Sequence, residues 1–145
     1  MNKLNKKILF IALVTASLWL PATASDFIRD AQKFGKTINP QTQALSLEDS
    51  IKAYNDKKFE LAGDSFLLMF VKGDFQGVGY LGDIFARGLG VDPDCKKAAY
   101  FLFAGVSSNI CHAYDVLISL MDEDICFSRQ QRDKYLIKQK ECRRK

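Results

Sequence analysis

The chain has 145 residues, 21 Lys and Arg against 17 Asp and Glu, one His, four Cys and a formal net charge of +4. Three of the 21 basic residues (Lys3, Lys6, Lys7) belong to a leader read below, which leaves 18 against 17. The basic whole-chain balance is therefore no sign of nucleic-acid binding, and after the leader no stretch is apolar for long enough to span a bilayer.

The leader comes first. A positive start is followed by apolar Ile8 to Leu20 and by Ala22-Thr23-Ala24, a small-x-small cleavage signature. The apolar stretch is about 13 residues, short of the roughly 20 that a membrane span needs. The expectation is a signal peptide over residues 1–24, cut after Ala24, with no cysteine beside the cut to take a lipid. The mature protein is then exported, periplasmic or secreted, with no stable membrane insertion.

Phe27, Ile28, Ala31 and Phe34 predict a short amphipathic helix before Gly35, and Thr37 to Ala44 reads as a loop around Pro40. Ser46 and Asp49 open a helix through about Lys57, and Phe59 to Val71 forms the next. The run Ser65 to Val71 is apolar nearly all round and must be covered on more than one side. Helices then fall near Phe75 to Arg87 and Asp94 to Val106. Gly82 permits close helix approach, Gly88 and Gly90 supply positive φ at the turn, and Asp94 caps the second helix. A last pair begins at Ile110. At a shift of 36 residues, Gly77 aligns with Ala113, Leu81 with Leu117 and Phe85 with Met121, while the turn Asp122 to Ile125 lacks the Gly-x-Gly-Val element. Ser128 and Gln131 have capping-box spacing for the final helix, whose apolar content is only Tyr135, Leu136 and Ile137.

The order Leu81-Gly82, Phe85, Gly88-Leu89-Gly90-Val91, Asp94, Lys97-Ala98, Phe101, Ala104-Gly105 resembles the Sel-1-like repeat, a relative of the tetratricopeptide repeat. The likeness is specific over Phe75 to Gly105. Ala53-Tyr54, Phe59, Ala62 and Phe66 resemble a degenerate first copy. It implies an all-α stack of two to three helical hairpins, with a degenerate repeat over 46–72, the best-matched one over 74–106 and a divergent one over 109–145.

Four cysteines in a small exported domain predict disulfides. Cys95 and Cys111 bracket one predicted helix, Cys126 and Cys142 another, and Cys111 and Cys126 lie at opposite ends of a third. A helix of 16 residues is roughly 24 Å long, against a Cα limit of about 7 Å for a disulfide, so Cys95–Cys126 and Cys111–Cys142 remain. A zinc site of the four cysteines with His112 is the competing reading, without any Cys-x-x-Cys to support it.

Catalytic signals are scarce. His112 has no nucleophile beside it and reads as a surface residue of its helix. Gly77-Val78-Gly79-Tyr80-Leu81-Gly82 has dinucleotide-fingerprint spacing but no preceding strand, and Asp122-Glu123-Asp124 is a solvated acidic turn. Neither a cofactor nor a metal is expected. The resemblance implies an adaptor that binds another protein. Gln76, Tyr80, Asp83 and Arg87 recur at helical spacing away from the packing positions Gly77, Leu81 and Phe85, and His112, Val116 and Ser119 match them one hairpin on. These seven are the candidate partner contacts, with the basic segment Arg129 to Lys145 as a second candidate surface. The reading is an inhibitor, immunity or accessory protein. The rival is a penicillin-binding or β-lactam-hydrolysing enzyme of the cysteine-rich repeat kind, for which the chain lacks Ser-x-x-Lys; a secreted effector is a third.

Overall fold

A computed structural model describes residues 45–145. The leader, the helix read at Phe27 to Phe34 and the loop to Ala44 lie outside the described residues. The described chain is all-helical: α1 Leu47–Asn55, α2 Phe59–Val71, α3 Val78–Arg87, α4 Cys95–Ser107, α5 Cys111–Asp122, a 3-10 turn Arg129–Gln131 and α6 Arg132–Cys142.

The helix starts follow from local chemistry. Ser46 Oγ accepts from the Asp49 amide and caps α1, and Asp94 accepts from the amides of Lys96 and Lys97 to cap α4. Ser128 caps the 3-10 turn instead of the last helix: its Oγ accepts from the Gln130 amide, and α6 starts one turn later behind Gln131 without a side-chain cap. The first turn of α3 is also shorter than expected, so Gln76 precedes the helix, its amide donating to Asp74 Oδ1.

The helix ends share one device. In α1 to α5 an amide five residues on donates back to a last-turn carbonyl at 2.9 Å: Lys58 to Ala53, Asp74 to Met69, Leu89 to Ile84, Ile110 to Gly105 and Ile125 to Leu120. In each case the preceding residue is left-handed: Lys57, Gly73, Gly88, Asn109 and Asp124. This bond satisfies a carbonyl orphaned by the helix end and sends the chain back toward the next helix. Three of the five are not glycine. The last hairpin therefore reverses without its Gly-x-Gly-Val element.

The core lies between the helices. Phe66, Leu81, Ile84, Phe85, Leu102, Leu117 and Leu120 are almost completely buried. Helix α3 packs on α4, α2 and α5, and α5 packs on α4 and α6. Three glycines permit these approaches: a Cβ on Gly82 would fall 2.6 Å from Leu102 Cδ2, one on Gly79 2.7 Å from His112 Cδ2, and one on Gly105 2.7 Å from Val78 Cγ2. In α2, residues Ser65 to Met69 are buried, as the apolar run requires, but Phe70 is only half-buried and Val71 is exposed.

Cys95 is bonded to Cys126 and Cys111 to Cys142, with Cα separations of 5.2 and 5.7 Å. The start of α4 is thus tied to the turn after α5, and the start of α5 to the end of α6. All four cysteines are used, which leaves no thiolate for the zinc reading. Each bond closes 31 residues, worth about 3 to 4 kcal/mol on the chain-entropy model. That matters most for α6, where Cys142 is the only buried residue.

A candidate binding groove across three helices

Helices α1, α3 and α5 are the first members of successive hairpins, and their exposed sides line two adjoining recesses. One, of about 290 Å³, is lined by Tyr54, Tyr80, Asp83, Arg87, Asp115 and Ser119, with His112 and Val116. The other, of about 470 Å³, is lined by Leu47, Ile51, Gln76, Asn109 and Ile110, with Tyr80, Cys111 and His112. Tyr80 and His112 belong to both and stand where the recesses join. All seven residues singled out at helical spacing line one recess or the other.

Their environments differ from that of an open surface. Asp83 and Val116 are buried, at 8% and 9% exposure. Asp83 accepts from the Tyr54 hydroxyl on one oxygen and from Arg87 Nε at 2.6 Å on the other. Burial and this bond both push the Tyr54 hydroxyl far above its usual range. Arg87 then reaches α5, where Nη1 and Nη2 donate to the two Glu123 oxygens at 2.5 and 2.7 Å, and Nη2 also meets Ser119 Oγ at 3.3 Å. This bidentate pair holds the Glu123 carboxyl down at about 2. Arg87 and Glu123 are 36 residues apart, the shift that relates the two hairpins. Arg87 thus fastens α3 to α5 as well as lining the recess.

His112, read from the sequence as a surface residue, is half-buried. Its ring lies 4.1 Å from that of Tyr80, and its Nε2 is buried without a hydrogen-bond partner among the described residues. The close approach is possible because Gly79 has no side chain there. Tyr80 in turn stacks on Phe66 at 4.9 Å and meets Tyr54 edge-on at 5.0 Å. Tyr54, Asp115 and the orphaned imidazole nitrogen were not legible as parts of this site. For Asp115 the signal in the sequence was its helical offset from His112, whereas Tyr54, on α1, is brought to the site by helix docking.

Burial lowers the His112 pKa, while Asp115 and Asp83 partly offset it. The unfolded chain therefore takes up its proton near pH 6.5 and the folded chain only below that. Stability should be level above about pH 6.5 and fall as pH drops through the interval beneath it. His112→Gln should flatten that slope, since it removes the only histidine of the chain. Urea midpoints measured between about pH 7.5 and 5 decide this, and an unchanged slope in the variant would refute the assignment.

Among the described residues no group of three His, Cys, Asp or Glu is placed to hold a metal ion, and no helix is long and apolar enough to cross a membrane. Comparison with family models, with curated proteins and with solved structures finds no match for this chain.

Proposed function

We propose that this protein is an exported interaction module of the Sel-1-like repeat type, which holds a protein partner in the groove across α1, α3 and α5 and acts as an inhibitor, immunity or accessory protein. The observation that carries the reading is the convergence of the seven helix-spaced residues on two adjoining recesses that share Tyr80 and His112. Aromatic side chains backed by a rigid core are the usual anchors of protein interfaces. Antiparallel helices paired in sequence order, the glycine contacts between them and the two disulfides support a stapled repeat stack used outside the cytoplasm. No step of chemistry is assigned to the groove.

Affinity capture from the cell envelope, with the oxidised protein as bait, tests this. A single stoichiometric protein is expected. Tyr80→Ala should weaken its retention by about tenfold or more and Gln76→Ala by less, whereas Lys96→Glu on α4 should leave it intact. Arg87→Glu is not a useful probe, because it breaks the contacts between α3 and α5. Retention unchanged in the Tyr80 variant would move the interface elsewhere, first to the basic segment around Arg132 and Lys138. Turnover of a β-lactam would favour an enzyme.

A further inference from the structure

Resting on that reading, we propose that the smaller recess receives a cationic side chain, lysine or arginine, projected by the protein partner. Two tyrosine rings form its apolar walls. Tyr54 meets Tyr80 edge-on at an interplanar angle of 65°, and both side chains line the recess. Asp83 is taken up by Tyr54 and Arg87, so Asp115 supplies the charge. Asp115 uses Oδ1 for Gln139 at 2.5 Å and for Arg143 at 2.7 Å, and its Oδ2 has no partner among the described residues. The Tyr80 hydroxyl likewise has none there.

An anion fits poorly, because Arg87 already spends its donors on Asp83, Glu123 and Ser119. The surroundings favour a cation too. Residues 45–128 carry seven Lys and Arg against thirteen Asp and Glu, and the compensating basic charge is gathered in residues 129–145, of which Arg143 pairs with one oxygen of Asp115. His112, neutral when buried, adds no positive charge to the wall. A lysine or arginine stem would lie along the rings and Val116, with its head at Asp115.

NMR titration of the oxidised protein with capped tripeptides, Gly-X-Gly with X as arginine, lysine, norleucine or glutamate, tests this directly. Arginine and lysine peptides should shift the backbone signals of Tyr80, His112 and Asp115 and bind about tenfold or more tightly than the other two. Raising salt from about 0.05 to 0.5 M should weaken them. Asp115→Asn keeps a carbonyl oxygen for Gln139 and should lower their affinity about tenfold, with a thermal melt to verify that the variant is folded. Norleucine binding as well as lysine, glutamate binding best, or no shift at these residues with any peptide would overturn the proposal. The outcomes separate from those above: loss of the captured partner in Tyr80→Ala without a cation preference removes this inference alone, whereas capture indifferent to Tyr80 removes the groove reading.

Discussion

Gly82→Val should abolish cooperative folding, whereas Gly63→Ala, one helix away, should be harmless or mildly stabilising. Both glycines are buried in helix interiors, where alanine is intrinsically preferred by up to about 1 kcal/mol. They differ in what stands opposite. A Cβ on Gly63 would meet only Ile84 Cδ1 at 3.6 Å, an ordinary contact. On Gly82 it would meet the branch of Leu102, with Cδ2 at 2.6 Å and Cδ1 at 3.0 Å, and Leu102 is fully buried with nowhere to turn. Valine adds two more carbons to that clash and would wedge α3 from α4, the most extensive helix contact of the fold. Ordinary overpacking costs about 1 to 3 kcal/mol, and this should exceed it, at about 4 kcal/mol or more. Thermal melts followed by circular dichroism read the result. A Gly82→Val protein that melts within a few degrees of the parent would show that α3 and α4 are not held together at this point.

The second large effect is expected at Phe66, whose removal by Phe66→Ala should cost about 3 to 5 kcal/mol. Its ring is fully buried, stacks nearly parallel on Tyr80 at 8°, and lies under Gly77, where a Cβ would fall 2.9 Å from Phe66 Cγ. The space left behind would be ringed by helices pinned by other contacts, so little collapse can fill it. The half-buried Phe70 touches Phe75, Tyr100 and Phe101 and should cost clearly less, which makes Phe70→Ala the natural comparison. Chemical denaturation of both variants decides the matter, and a loss below 1 kcal/mol at Phe66 would contradict the packing described. The substitution also reaches the groove. Tyr80 stands between Phe66 and His112, so the aromatic wall of the recess rests on the core beneath it.

What the sequence determined by itself are features set within one helix or one turn. Ser46 and Asp94 cap because their side chains need only amides two or three residues away. Gly88 and Gly90 turn the chain because φ near 70° favours glycine over any residue with a Cβ. The cysteine pairing was legible because helices are stiff rods whose length excludes the other pairings. The tertiary structure alone decided the rest. Lys57, Asn109 and Asp124 take left-handed geometry without glycine, since the returning helices and the carbonyls they satisfy outweigh a cost that local propensity would have charged against them. Asp83, Arg87 and His112 looked like solvent-facing positions by spacing alone. Asp83 and Arg87 are engaged because Tyr54, 29 residues before Asp83, and Glu123, 36 residues after Arg87, are carried to them by docked helices, and His112 is covered by the ring of Tyr80. Spacing along a helix fixes which side chains share a face, but which of them find a partner depends on how two helices dock, and that is set by the glycine contacts and core side chains acting together.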